Sequence, residues 1–332
     1  MYSENANRSK TGLKLCLLVS ALLLMQSGIS QFTHGLTYER DTSFTNYSAF
    51  KKTIKSHPEI SMPAETNAKY FKHSTAIFDS VNDVKLTTQI FQPLKNKNGI
   101  TVIMLHGGGW RSGSPLQHSE MLKRLAVKGY TCFAPQYRLS THALFPAALH
   151  DAKTAIKWVR HNAGLFGIDT SRIVIAGFSA GAQLATLTGV TGNMPLLESS
   201  RFDNISSAAN AIINIDGTLS FVHAESEEGD GSNKKMASSM WLGYSRQENP
   251  LLWEIASPLS FAVNASPVLF INSSIDRMHA GRNDFIKILN SRNILNKVVA
   301  FENSPHSFCL FNPWLEPTVT AIDEFLKKVF LQ

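Results

Sequence analysis

From residue 100 onward, short apolar runs alternate with amphipathic helical runs, and this alternation limits the possible folds more than any other feature of the sequence. The run at 100–105 is uniformly apolar and rich in β-branched residues, as expected of a strand that is buried on both faces. The predicted strands lie at 100–105, 130–135, 172–176, 211–215, 267–271 and 297–302, and helical runs lie at 119–128, 147–162, 180–189, 284–290 and 317–330. The pattern predicts an α/β fold with a doubly wound, mostly parallel sheet and helices on both faces.

Three further segments complete the predicted organisation. The runs Thr75 to Phe78 and Lys85 to Gln92 alternate polar and apolar residues, which predicts two antiparallel strands ahead of the parallel sheet. Residues 31–72 are polar and irregular, so we expect a lead-in that wraps a single domain at 73–332. The long gap after the run at 211–215 predicts an insertion at about 216–262, over one end of the sheet.

The N-terminus has the pattern of an export signal. Three basic residues precede an 11-residue apolar stretch from Leu15 to Met25, and small residues lie three before and one before a cleavage position after Ser30. The stretch is short for a membrane-spanning helix, which needs roughly 20 residues. We therefore expect a signal peptide at 1–30, a secreted or periplasmic product, and no membrane span after cleavage.

Composition and charge exclude several function classes. With 43% hydrophobic and 17% charged residues in 332, the chain is ordinary globular material rather than a disordered or disulfide-scaffold protein. The net charge of +7 is spread along the chain, so nucleic acid is not an expected partner. Two cysteines remain after the predicted cleavage, Cys132 and Cys309, and either a disulfide or two buried thiols fits the sequence. No cysteine or histidine spacing indicates a metal site.

A Gly-x-Ser-x-Gly motif at 177–181 carries the strongest chemical signal. It directly follows the apolar run at 172–176 and opens the helical run that begins at Ala180. In this context the turn holds the serine in a strained conformation and projects its hydroxyl at the carboxyl ends of the strands. Ser179 is the predicted nucleophile, and a glycine-rich turn with an incidental serine is the alternative.

A second motif, His106-Gly107-Gly108-Gly109-Trp110, follows the apolar run at 100–105. Consecutive glycines allow backbone N–H groups to converge on one oxygen, as an oxyanion requires. We expect Gly108 and Gly109 to donate these groups together with Ala180. A phosphate-binding loop fits poorly, because neither a Gly-Lys-Ser/Thr ending nor a Gly-x-Gly-x-x-Gly spacing is present.

A base and an acid can be assigned to the same sheet edge. His306 follows the last apolar run, and its imidazole can accept the serine proton and return it to a leaving group. Asp276, a short loop after the run at 267–271, is the preferred orienting acid and gives the chain order serine, aspartate, histidine. Asp216, directly after the run at 211–215, is the alternative acid.

With these motifs the chain resembles α/β-hydrolases of the carboxylesterase type, in the hormone-sensitive-lipase-like and feruloyl or acetyl esterase group. The segments Tyr137-Arg138-Leu139 and Phe145-Pro146-Ala147-Ala148, with Asp151, match the linker of those esterases. A looser resemblance links the segments at 216–217, 256–259, 279–282, 305–308 and 313–314 to secreted bacterial pectin and xylan acetylesterases.

The resemblance implies an α/β-hydrolase fold and a serine esterase that needs no cofactor or metal. The expected reaction removes acetyl groups from plant or algal polysaccharides or oligosaccharides through an acyl-enzyme. A feruloyl or general short-chain carboxylesterase is the alternative, and a non-catalytic glycan-binding module is a minor one. The oligomeric state stays open.

Two arginines and three tryptophans are candidate substrate contacts. Arg277 and Arg282 lie near the preferred acid and could bind a uronate carboxylate, but an ion pair with the acidic insertion is the favoured interpretation. Trp110 could stack on a sugar ring or fill the core, and the same alternatives hold for Trp241 and Trp314.

Overall fold

A computed structural model describes residues 36–37, 39, 41–226 and 236–331, and its strands form one eight-stranded sheet. The strands are β1 (Phe71–Val81), β2 (Val84–Pro93), β3 (Thr101–Leu105), β4 (Thr131–Pro135), β5 (Ile173–Phe178), β6 (Ala211–Ile215), β7 (Val268–Asn272) and β8 (Asn296–Ala300). Their order in the sheet is β1-β2-β4-β3-β5-β6-β7-β8. Strand β2 pairs antiparallel with β1 and with β4, and the remaining neighbours are parallel. The predicted α/β-hydrolase architecture, including its early antiparallel pair, is confirmed.

Helices cover both faces of this sheet. They are α1 (Asn46–Thr53), α2 (Ser119–Val127), α3 (Ala147–His161), α4 (Ala163–Phe166), α5 (Ala180–Val190), α6 (Ala237–Leu242), α7 (Pro250–Ile255), α8 (Arg282–Ser291) and α9 (Leu315–Phe330). Helices α1, α2 and α9 pack on one face, and α3, α5, α7 and α8 pack on the other. The sheet is therefore the middle layer of three.

The central strands bury both of their faces, as the apolar runs predicted. Every residue of β3, β4, β5, β6 and β7 is buried. Side chains alternate across the sheet, so Ile173 and Ile175 join the core on one face while Val174 and Ala176 join the core on the other. The parallel pairing of β3, β5, β6 and β7 brings the ends of these strands to one edge of the sheet, where they carry the site.

The segment between β6 and β7 contributes to the core as well as to the surface. Its described part holds α6, α7 and a 3-10 helix at Pro258–Asn264. Trp241 and Trp253 are both fully buried in the cluster on the α3 and α5 face. Core filling is therefore the role of Trp241, while Trp314 is half-buried and packs against the opposite cluster.

The N-terminal part and the cysteines add three observations. The lead-in carries helix α1, which the irregular composition of that segment did not predict. Cys132 and Cys309 are free, buried thiols, and burial raises the pKa of both.

The predicted signal peptide at 1–30 lies outside the described residues. Within the described part of the chain, no helix combines the length and apolar character needed to cross a membrane.

Candidate active site

Ser179 occupies a strained turn between β5 and α5. Its backbone has φ 56° and ψ −124°, and its N–H donates to the carbonyl of Ile215 at 2.9 Å. The flanking glycines are required by close approach, since a Cβ at Gly177 would strike the backbone of Gly181 and a Cβ at Gly181 would strike the backbone of His106. The turn thus presents the serine side chain at the carboxyl ends of the strands.

A continuous hydrogen-bonded chain joins the serine to a histidine and an aspartate. Nε2 of His306 lies 2.8 Å from Oγ of Ser179, and Nδ1 of His306 lies 2.7 Å from Oδ2 of Asp216. Because an ionised carboxylate only accepts hydrogen bonds, Nδ1 carries a proton and neutral Nε2 is left as the acceptor for the serine hydroxyl. The arrangement can therefore draw a proton from Ser179 as its oxygen attacks an electrophile.

The Asp216 carboxylate is fully buried and is held by further donors. Its Oδ1 accepts the N–H of Ser273 at 2.9 Å, and its Oδ2 accepts the Ser273 hydroxyl at 2.6 Å. The Asp216 N–H donates to the carbonyl of Ile271, so the residue is fixed between β6 and β7. These bonds offset the cost of burying a charge and set the carboxylate's direction toward His306.

Asp276, the preferred acid in the sequence analysis, is not that partner. It lies in a 3-10 turn at Asp276–His279, its side chain is 94% exposed, and its nearest ionic partner is His279 at 3.8 Å. Three loop residues separate it from the end of β7, whereas Asp216 directly follows β6. Both aspartates follow strands that end at the same edge of the sheet. They differ because the loop after β7 carries the Asp276 side chain into solvent. The structure corrects the choice to Asp216.

The glycine motif forms a tight loop against the nucleophile. Gly108 and Gly109 have φ values of 122° and 61°, and the carbonyl of Gly108 accepts the N–H and the hydroxyl of Ser112. A Cβ built on Gly107 would lie 3.1 Å from that of Ser179. Among the described residues, the N–H groups of Gly108, Gly109 and Ala180 have no protein acceptor. Their assignment as oxyanion donors stays a prediction that this geometry permits.

Gln117 is a contributor that the sequence analysis missed. Its buried side-chain Oε1 accepts the Gly107 N–H at 2.7 Å and so fixes the start of the glycine loop. The next residue, His118, is buried beside the ring of Phe178, and burial together with the nearby His106 lowers its pKa to about 3. Gln117 gave no signal in sequence because its role depends on a 3-10 turn that brings it back to the loop.

The candidate substrate contacts have different environments. Trp110 is 6% exposed, donates its indole N–H to Oε1 of Gln183 at 3.0 Å and stacks on Trp241. Of the two roles open to Trp110, core filling is therefore the one that the structure shows, because the ring is buried in the core cluster. Nη1 of Arg282 donates to Asn272 at 2.9 Å, and Arg277 is exposed. A substrate role for either arginine stays a prediction.

The site contains ordinary organic catalytic groups. Among the described residues, no group of three or more histidine, cysteine, aspartate or glutamate side chains is arranged to hold a metal ion. What Ser179, His306 and Asp216 can perform by themselves is nucleophilic attack with proton transfer.

Residues 88–284 match the BD-FAE family. The matched segment includes the glycine loop, Ser179 and Asp216, and it ends before His306. The chain is also similar to the esterase LipC of Mycobacterium tuberculosis, with 28% identity over 71% of this chain and 60% of that protein. The ethyl acetate hydrolase of Pseudomonas putida is 30% identical over 39% of this chain and 47% of its own length. The chain thus spans less than two thirds of these two relatives.

Solved structures show the same architecture over most of the chain. Esterase 2 of Thermogutta terrifontis, in a form with propionate bound, has a TM-score of 0.64 and 27% identity. The similarity covers 78% of this chain and 94% of that one. It therefore spans nearly the whole of that esterase.

Proposed function

This chain belongs to the BD-FAE family and carries an α/β-hydrolase domain of the carboxylic ester hydrolase type, and on this premise we propose that it is a serine carboxylesterase. The observation that carries the proposal is the hydrogen-bonded chain from Ser179 through His306 to Asp216, with distances of 2.8 Å and 2.7 Å. A buried carboxylate, an oriented imidazole and a strained serine together make an activated nucleophile.

In the first half of the reaction, Oγ of Ser179 attacks the ester carbonyl while Nε2 of His306 accepts its proton. Negative charge develops on the carbonyl oxygen, where the N–H groups of Gly108, Gly109 and Ala180 would stabilise it. Collapse of this intermediate breaks the ester bond, and the imidazolium gives its proton to the departing alcohol. Asp216 stabilises the imidazolium during the interval.

In the second half, water replaces the alcohol. His306 takes a proton from the water, and the resulting hydroxide attacks the carbonyl of the acyl-enzyme. The bond to Oγ then breaks, Ser179 recovers its proton from the imidazolium, and the carboxylic acid leaves. One ester and one water give one alcohol and one acid, so the cycle balances without a cofactor.

For the substrate, we propose acetyl esters of plant or algal polysaccharides or oligosaccharides. Support comes from the resemblance of the segments around Asp216 and His306 to pectin and xylan acetylesterases, and from the predicted export signal at 1–30. The short acyl groups named for two similar proteins, a propionate-bound esterase and an ethyl acetate hydrolase, also fit a small acyl site.

A general short-chain carboxylesterase is the second candidate, and one observation favours it. The buried ring of Trp110 removes an expected sugar contact from the site. A preference for feruloyl over acetyl esters would instead support the feruloyl alternative. A non-catalytic glycan-binding role fits least, because His306 lies within hydrogen-bond distance of both Ser179 and Asp216.

The test is acetate release from acetylated pectin and acetylated xylan, beside hydrolysis of 4-nitrophenyl acetate and methyl ferulate, with Ser179→Ala as control. We expect the serine variant to lose at least about 10³-fold in kcat on every ester that the wild type cleaves. Polymer deacetylation that this variant abolishes supports the polysaccharide proposal. Hydrolysis of the small ester alone supports the general carboxylesterase, and undiminished activity in Ser179→Ala contradicts the serine mechanism.

Export can be tested on the same protein. We propose that residues 1–30 are removed, leaving a chain that begins at Gln31 and lies outside the cytoplasm. Mass spectrometry of the protein from a fractionated bacterial host measures this directly. An intact N-terminus in the cytoplasmic fraction contradicts the proposal.

A further inference from the structure

Residues 41–66, which we name the strap, precede the first strand of the sheet in the chain. The strap precedes the segment at 88–284 that matches the BD-FAE family. It contacts both the loop that carries the glycine motif and the loop that carries His306.

On the glycine-loop side, the strap makes two polar contacts. Oδ2 of Asp41 pairs with Nε of Arg111 at 2.7 Å, one residue beyond the glycine motif. Nδ2 of Asn46 donates to the carbonyl of Gln117 at 2.9 Å. The side chain of Gln117 in turn accepts the Gly107 N–H. Asn46 therefore positions Gln117, and Gln117 positions the glycine loop.

On the base side, the strap contacts the residue next to the histidine. The hydroxyls of Thr53 and Ser307 lie 3.0 Å apart, and the two residues are only 9% and 8% exposed. Further along, Ser61 and Asn312 exchange two backbone hydrogen bonds. The loop that carries His306 is therefore tied to the strap close to the imidazole and again six residues later.

Helix α1 makes the two contacts interdependent. Asn46 and Thr53 are its first and last residues, about 10 Å apart along the axis. A capping box between Thr45 and Ser48 fixes the start of the helix, and Phe50 packs edge-to-face on Phe311. A short helix anchored at its start and along its length keeps a nearly constant distance between the two loops.

We propose that the strap positions the two halves of the active site, with Asn46 acting on the glycine loop through Gln117 and Thr53 acting on His306 through Ser307. The inference deepens the proposed function and rests on it, since it concerns the same serine chemistry. Neither Asn46 nor Thr53 touches the reacting atoms, so both are positioning residues. Small displacements of reacting groups are costly to a rate, which makes such contacts measurable.

The test compares Thr53→Val with Thr53→Ser in the full chain, using 4-nitrophenyl acetate. Valine keeps the shape and removes the hydroxyl, whereas serine keeps the hydroxyl. We expect kcat to fall about tenfold in Thr53→Val with little change in KM, and to stay near wild type in Thr53→Ser. Lys52→Ala, at the exposed neighbouring position of α1, is the matched control and should match wild type.

The pH profile separates positioning from simple loss of stability. Thr53→Val should shift the acid limb of kcat/KM, because that limb reports the base. Asn46→Ala should lower kcat at every pH without moving that limb, because it acts on the oxyanion side. In the double variant the combined loss should differ from the product of the two single losses, since helix α1 joins the two contacts.

Thermal unfolding and the serine variant complete the design. If the loss in Thr53→Val equals the fraction unfolded at the assay temperature, or if Thr53→Ser loses as much, the strap inference is overturned. Equal pH profiles for Thr53→Val and Asn46→Ala would also overturn it. Retained activity in Ser179→Ala is a different result, because it removes the proposed function itself.

Discussion

Two of the regions that bury ionisable groups in the described part of the chain use them differently. One is the chain of Asp216, His306 and Ser179 at the carboxyl edge of the sheet. The other, which we name the α3 charge cluster, consists of Lys153, Lys157 and Glu198 on one face of the sheet. In both regions charged atoms lie against the core, where an unpaired charge would be costly.

In the α3 charge cluster every contact is structural. The two lysine side chains are 0% and 2% exposed, and their ammonium groups donate to the carbonyls of Thr191 and Ser199 at 2.6 Å and 2.8 Å. Glu198 lies 3.6 Å and 3.2 Å from the two ammonium groups. The cluster therefore ties α3 to the segment after α5.

The active site has the opposite character at its outer end. The side chain of His306 is 27% exposed, and Ser179 is half-buried on a backbone with φ 56°. Only Asp216 is fully enclosed. In the α3 charge cluster, burial and pairing of the charged groups stabilise the fold. In the active site, the buried Asp216 orients His306, and the strained, accessible Ser179 can react. Variants in each region should therefore change different measurements.

The largest expected effect is on activity, from Asp216→Asn. An amide at this position cannot hold the imidazole in the required tautomer, so kcat should fall about 10⁴-fold. Asp276→Asn is the matched control, because the side chain of Asp276 is 94% exposed, and it should keep wild-type activity. Steady-state kinetics on 4-nitrophenyl acetate measures both variants. The opposite ranking would restore Asp276 as the acid.

The next effect is on stability, from Glu198→Gln. This change leaves two buried ammonium groups without their counter-charge, and the free energy of unfolding should fall by about 3–5 kcal/mol. Glu254→Gln, at an exposed position, should change it by less than about 0.5 kcal/mol. Urea unfolding measures both. If the folded Glu198→Gln enzyme lost kcat, the two regions would be coupled, and the distinction between a structural charge cluster and a catalytic site would be wrong.

The smallest effect is a pH dependence of stability. Burial lowers the pKa of Lys153 to about 8, below its usual value of 10.5. Between these values the unfolded chain binds more protons than the folded one, so this residue makes stability rise with pH. From pH 7.5 to 9.5, wild type should gain about 1–2 kcal/mol relative to Lys153→Met. An equal change in both proteins, measured by urea unfolding, would show that Lys153 is not the source.

Much of the fold could be predicted because its signals are local. Strands β3 to β7 are buried on both faces. Each of them can be predicted from its own run of apolar residues, without knowing which strand it pairs with. Helix α1 was missed because only two of its residues are buried, and its stability comes from a capping box and from packing on Phe311. The roles of Trp110 and Gln117 could not be predicted for a similar reason. The role of Trp110 depends on its burial in the core, and that of Gln117 depends on a 3-10 turn that brings its side chain back to the glycine loop.

The sequence by itself determined the strand-turn-helix around Ser179, the glycine loop after β3 and the position of His306 after the last strand. Each of these features depends on the backbone conformation of a few consecutive residues, so a short sequence motif is enough to predict it. Only the tertiary structure decided between Asp216 and Asp276. Both lie after strands at one edge, and the choice depends on which carboxylate is enclosed beside His306 and bonded by Ser273, a contact made across 57 residues.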